Sequence, residues 1–156
     1  DYFTAVDDLN KDDSGAAHIG ESGFASAVFY QYLCIDRGLL KKNLGGDEAL
    51  TQRALRALAE AALKVGPSGK QNSFASRSYA HYALAEKGEQ QPRSLSLAYV
   101  KPVAGGDYAV EAVMALRRLR DNMDEVYGAC ADSRCEMDVL AGKGRTADLL
   151  DFVAAN

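Results

Sequence analysis

Three features of this sequence predict an α+β fold. Residues 27–36 are apolar on both faces, residues 94–100 alternate apolar with polar, and residues 47–65 and 107–127 each carry apolar side chains at intervals of three and four. The chain has 156 residues, the size of one ordinary domain, and its 47% hydrophobic and 26% charged residues suit a globular protein.

Residues 1–23 show neither a helical nor a strand period. They hold Gly15, Gly20 and Gly23 with six acidic residues against one lysine, and they predict a loop or an irregular hairpin. Residues 27–36 form the strongest strand candidate. Phe29, Leu33 and Ile35 share one face, Val28, Tyr30, Tyr32 and Cys34 the other, so the expectation is a central strand covered on both sides. Arg37-Gly38 and Gly45-Gly46 bracket a short connection. A helix follows over 47–65, capped by Asp47, ended by Gly66-Pro67, and burying Leu50, Ala54, Leu58, Ala61, Ala62 and Val65.

Residues 68–78 are polar and rich in hydroxyls; strand character returns at 79–85, and 86–93 is a turn region around Lys87-Gly88 and Pro92. Residues 94–100 predict a strand with Leu95, Leu97 and Tyr99 toward the core. The second long helix, 107–127, has Ala109, Val113, Leu116, Leu119, Met123 and Val126 as its inner stripe. A short extended piece near 133–137 precedes a last helix, 146–155, with Thr146 as cap and Leu149, Leu150 and Val153 inside. Apart from that last helix, the order is the ferredoxin-like split pattern, which also underlies the RNA-recognition-motif fold. Such a frame hosts many functions and decides none.

A formal charge of −4 and a pI near 5.2 exclude a whole-surface attraction to nucleic acid or anionic lipid. Any nucleic acid is then held by a local patch, by stacking or by neutral hydrogen bonds. No apolar run reaches membrane-spanning length. Three cysteines, Cys34, Cys130 and Cys135, are an odd number and point to a reducing, cytoplasmic compartment with structural thiols. Cys130 and Cys135 have no histidine nearby, which argues against zinc. The opening on Asp1-Tyr2-Phe3, without an initiator methionine, is read as a piece of a larger protein.

Chemistry-bearing residues are few. Asp7, Asp8, Asp12 and Asp13 fail the calcium-loop pattern, since its glycine is Asp13 and its closing glutamate Ile19. Residues 15–21 space glycines like a phosphate loop, but Glu21 stands where the lysine belongs. No nucleophile elbow occurs. Neither a catalytic residue nor a resident metal or cofactor is expected. His81 reads as a half-buried strand histidine, whereas His18, in a glycine-flanked loop, either contacts a ligand or supports the loop. Tyr2 and Phe3 are either a terminal strand edge packed on the core or a wedge that inserts between bases. Val6 would add bulk to that wedge, and Thr4 could hydrogen-bond to phosphate or ribose. Lys70, Gln71, Asn72, Ser73 and Arg77 are either a polar loop or a seat for a polynucleotide backbone. Arg117, Arg118 and Arg120 share their helix with Glu111, Asp121, Asp124 and Glu125, and are read as a solvated or subunit-facing surface.

Residues 1–9 (Asp-Tyr-Phe-Thr-Ala-Val-Asp-Asp-Leu), Ala17-His18-Ile19-Gly20, the run 24–30, Asn43-Leu44-Gly45-Gly46, Lys70-Gln71-Asn72-Ser73-Phe74-Ala75 and residues 146–153 together resemble the CasC family. These are the repeated backbone subunits of the type I-E CRISPR surveillance complex, Cascade. The resemblance runs over essentially the whole chain and is most specific in the first 46 residues. It implies a modified RNA-recognition palm with a projecting thumb hairpin: thumb at 1–26, palm at 27–144, closing helix at 145–156.

It also implies a non-catalytic subunit that polymerises with copies of itself along CRISPR guide RNA, beside other Cascade subunits. Target DNA is met only through guide pairing, and the antiviral complex is cytoplasmic, with no membrane partner. By position, Tyr2 and Phe3 match the thumb aromatics with Thr4 and Val6 beside them. His18 matches the returning part of the thumb, and Lys70 and Gln71 a segment near the guide backbone. Tyr2 stands where a tryptophan can occur, keeping the flat ring. The family protein is longer, its first half supplying an opening palm strand, basic guide contacts and a helical finger domain; the resemblance is therefore to the C-terminal part. Residues 130–135 and 141–144 carry no part of the resemblance. Two other functions compete on residues alone: a metal-dependent guide-RNA-processing endoribonuclease on the same frame, and a protein-interaction module without RNA.

Overall fold

The computed structural model describes residues 2–4, 17–19 and 23–155, the first two stretches by their backbone. The fold is α+β. Strands β1 (Tyr2–Thr4) and β2 (Ala17–Ile19) pair antiparallel, and so do β3 (Tyr82–Lys87) and β4 (Ser133–Asp138). The helices are α1 (Arg37–Asn43), α2 (Glu48–Lys64), α3 (Gln71–Phe74), α4 (Tyr108–Tyr127) and α5 (Thr146–Ala154), with a 3-10 turn at Ser96–Tyr99.

Aspartates start three of these helices. Asp36, Asp47 and Asp107 each turn a carboxylate onto the first free N–H groups, Asp36 to Leu39 at 2.8 Å and Asp47 to Leu50 at 2.9 Å. The end of α1 is equally explicit. Gly46 N–H donates to the Lys41 carbonyl at 2.9 Å and Gly45 N–H to that of Lys42 at 3.1 Å, with both glycines at positive φ. The short connection expected between Arg37 and Gly46 is therefore a short helix with a glycine stop.

The β3–β4 register runs from Tyr82 opposite Asp138 to Lys87 opposite Ser133. Alternation puts Tyr82, Leu84 and Glu86 with Asp138, Glu136 and Arg134 on one face; Ala83, Ala85 and Lys87 with Met137, Cys135 and Ser133 lie on the other. The two-stranded sheet is sandwiched. On the first face, Arg117 of α4 lies 5.0 Å from the Tyr82 ring centroid. On the second, Thr146 of α5 donates to the Met137 sulfur at 3.6 Å and Lys87 sits 4.6 Å over the Phe152 ring. α2 packs behind α5. The core accordingly has two patches: Leu55, Met137, Leu149 and Leu150 around α5, and Leu95, Ala112, Val113 and Leu116 where α4 meets the 3-10 turn.

Several expectations are corrected. Residues 27–36 form no strand, and Phe29 is 83% exposed. A two-faced apolar segment becomes a central strand only between two neighbours, and none of the described residues pairs with it. Side chains hold this segment and the residues just before it instead. Phe24 meets Phe74 edge-on at 4.9 Å, and the Tyr30 hydroxyl accepts the Leu95 N–H at 3.1 Å. Residues 94–100 coil because Ser94 Oγ takes the Ser96 N–H at 3.2 Å, diverting a donor a ladder would need. Leu95 is buried there, but Leu97 faces solvent.

The strand expected at 79–85 begins three residues later, at Tyr82. On α2 the buried positions are Thr51 and Leu55, one residue round from the expected stripe of Leu50 and Leu58. Burial of Thr51 is possible because its hydroxyl donates to the Asp47 carbonyl at 2.7 Å. On α4, Val126 lies outside the buried stripe. Thr146 is the first residue of α5 rather than its cap, which is Arg145.

Candidate nucleic-acid interface

β1 and β2 set Tyr2 opposite Ile19, Phe3 opposite His18 and Thr4 opposite Ala17. Antiparallel alternation places Phe3 and His18 on one face of this ribbon and Tyr2 and Thr4 on the other. The side chains of these residues, together with Val6, the aspartates at 7, 8, 12 and 13 and the glycines at 15 and 20, lie outside the described residues.

The second candidate segment is a single turn, α3, held between two left-handed residues, Lys70 at φ 52° and Ala75 at φ 49°. Both conformations are unfavourable for a side chain with a Cβ, so the turn has to be braced. Gln71 is the brace. Its amide donates to the carbonyls of Pro67 and, at 3.3 Å, Ser76, while its carbonyl accepts from Arg77 Nε at 3.4 Å. Lys70, Asn72 and Ser73 are exposed, and Lys70 Nζ stands 6.0 Å from the Phe74 ring centroid. Of the five residues proposed as a backbone seat, Gln71 and Arg77 are thus tied to each other. Lys70, Asn72 and Ser73 present one cation and neutral hydrogen-bonding groups outward, a set that can hold phosphate and ribose without reading sequence.

The arginines of α4 act inward. Arg117 pairs with Asp138 at 2.9 Å and with Glu136 at 3.4 Å; Arg120 reaches Glu136 at 3.2 Å. The Tyr82 hydroxyl donates to Glu136 at 2.7 Å. Nearer the other end of the sheet, Arg93 spans Glu86 at 2.8 Å and Asp124 at 3.3 Å, and Arg134 binds both of those carboxylates. The expectation of a solvated or subunit-facing surface is therefore corrected for Arg117 and Arg120, which bind α4 to the sheet; Arg118 alone of the three faces solvent.

Burial, reinforced by the Glu136 bond, pushes the Tyr82 hydroxyl far above its usual range. Burial alone would raise Glu136, but Tyr82 and the two guanidiniums outweigh it and hold that carboxyl below its ordinary range. The Ala141 N–H, at 3.0 Å, and Arg117 do the same for Asp138. Burial lifts the thiols of Cys130 and Cys135. His81 is half-buried and its carbonyl extends the β3–β4 ladder to Val139 at 2.8 Å. Among the described residues no three histidine, cysteine or carboxylate side chains converge as a metal site, and no helix is long and apolar enough to cross a membrane.

The charged layer was legible in part. Arg134, Glu136 and Asp138 alternate along a strand, and Arg117 and Arg120 are one helical turn apart, a spacing that suits a helix laid on a charged sheet face.

No curated protein matches the chain. Residues 1–150, nearly the whole sequence, match the family Cas_CT1975, described as CT1975-like protein. The chain therefore belongs to the Cas_CT1975 family of CRISPR-associated proteins.

Proposed function

We propose that this chain is a non-catalytic backbone subunit that binds and segments CRISPR guide RNA in a cytoplasmic, type I-E Cascade-like antiviral complex, polymerising with copies of itself and meeting target DNA only through the guide. The family match over residues 1–150 is the observation that carries the reading. The antiparallel pairing of β1 with β2 supports it, because it gives the segment bearing Tyr2 and Phe3 a returning strand. In this reading residues 1–26 are the thumb, 27–144 a ferredoxin-like palm whose sheet is represented among the described residues by β3 and β4, and 145–156 the closing helix.

The mechanism is non-covalent. Tyr2 and Phe3, with Val6, wedge between bases and offset the unstacking by contact area; Thr4, His18, Lys70, Asn72 and Ser73 meet ribose and phosphate, with Gln71 holding their loop. Changing Tyr2 and Phe3 together to alanine should weaken assembly on guide RNA by about tenfold or more, read by filter binding, with an unaltered unfolding midpoint. Parent-like assembly of the double variant would remove the wedge. Cleavage of precursor RNA that is lost on changing His18 would instead favour the endoribonuclease.

A further inference from the structure

A shallow groove of about 490 Å³ lies between the segment preceding α1 and the start of α4, walled by Val28, Tyr30, Tyr99 and Tyr108 with Lys101 beside them. Two of its rings are fixed by their hydroxyls. Tyr30 accepts the Leu95 N–H at 3.1 Å, and Tyr99 donates to the Ala112 carbonyl at 3.0 Å. Their centroids are 5.5 Å apart with planes tilted by 54°. With the hydroxyls engaged inside the protein, these tyrosines offer a ligand ring surface. Tyr108, the first residue of α4, is 61% exposed. Lys101 makes no ion pair among the described residues, and none of the lining residues is acidic in a chain with 22 acidic and 18 basic residues.

We propose that this groove takes one unstacked nucleobase of a single-stranded RNA, stacked against the tyrosine rings, with Lys101 on the neighbouring phosphate. An aliphatic ligand would leave the lysine without a partner, and an acidic peptide would make no use of a wall of rings. A nucleotide engages both, and does so in a local acid-free pocket on an otherwise acidic chain. The proposal rests on the RNA-binding reading and extends it to a second site, outside the thumb.

Fluorescence anisotropy of the full chain with a labelled, mixed-sequence single-stranded RNA tests it. Tyr108→Ala should weaken binding by about tenfold, whereas Tyr108→Phe binds as the parent does, because the ring and not the hydroxyl makes the contact. Lys101→Ala should weaken binding severalfold and flatten the plot of log affinity against log salt by about 0.7, the signature of one lost phosphate contact. Both positions are exposed, so the unfolding midpoints stay at the parental value. Parental affinity in both Tyr108→Ala and Lys101→Ala overturns the groove while leaving the RNA reading standing. A parent chain that binds no RNA overturns both. If Tyr108→Ala leaves RNA affinity intact but changes the sedimentation coefficient, the groove is a contact between copies and the nucleotide assignment falls.

Discussion

Gly144→Ala is expected to destabilise the protein by about 3 kcal/mol, read by urea unfolding. Gly144 has φ +73°, and an added Cβ would collide with the Glu136 carbonyl oxygen and stand 2.9 Å from Met137 Cα. Both obstacles are backbone of β4, so no rotamer change relieves them. The chain cannot retreat either. Residues 138 and 143 are joined by two main-chain bonds, Asp138 N–H to Lys143 at 2.8 Å and Lys143 N–H to Asp138 at 2.9 Å, which fold the turn back onto the strand. This close approach delivers α5, with the buried Leu149 and Leu150, to the sheet. Gly142 provides the comparison. It is also left-handed, at φ +62°, but an added Cβ meets nothing within 4 Å, so Gly142→Ala should cost only about 1 kcal/mol. Equal losses at the two positions would show that conformational preference alone, and not the contact with β4, makes Gly144 necessary.

The elements legible from sequence are those whose signals are local. α2 and α4 announce themselves through Asp47, Asp107 and long stretches of helical spacing, and their bounds agree with the reading to within a residue. α1 has the same punctuation, Asp36 before it and Gly45-Gly46 behind it, but the helix is only seven residues long, too short for a periodic stripe to emerge. Residues 27–36 and 94–100 fail for a different reason. Whether an apolar or alternating segment becomes a strand depends on a neighbour: none of the described residues pairs with 27–36, and at 94–100 two ladder donors are diverted, the Leu95 N–H to the Tyr30 hydroxyl and the Ser96 N–H to Ser94. Among the candidate site residues, the polarity of residues 70–73 was readable, whereas the division of labour between Gln71 as brace and its exposed neighbours depends on carbonyls at Pro67 and Ser76 that carry no sequence signature. The tyrosine groove was invisible for the same reason. Tyr30 is far in the chain from Tyr99 and Tyr108, and Tyr30 and Tyr99 fall in segments whose expected strands do not form.

Asp138 is where the charged layer is most exacting. Its side chain is only 6% exposed and holds two partners from different elements, Arg117 of α4 at 2.9 Å and the Ala141 N–H of the turn at 3.0 Å. Asp138→Ala leaves a guanidinium and a main-chain donor short of an acceptor in a half-dry layer, and should cost about 3 kcal/mol near neutral pH. Asp138→Asn keeps an oxygen for Ala141 but no charge for Arg117, and should cost about half as much.

The same carboxyl sets part of the pH dependence. Asp138, Glu136 and Asp124 are all held below their ordinary range in the folded chain, so the unfolded chain takes up protons first as pH falls. Their contribution is complete above the ordinary carboxyl range, about pH 4 to 5, and is lost as pH drops through their depressed folded values. Urea midpoints should hence be level from about pH 7 to pH 5 and fall steeply toward pH 3, with a shallower fall in Asp138→Asn, which has one such group fewer. A parental acid slope in Asp138→Asn would mean that Glu136 and Asp124 carry the effect without it, and that Arg117 is anchored to the sheet through Glu136 alone.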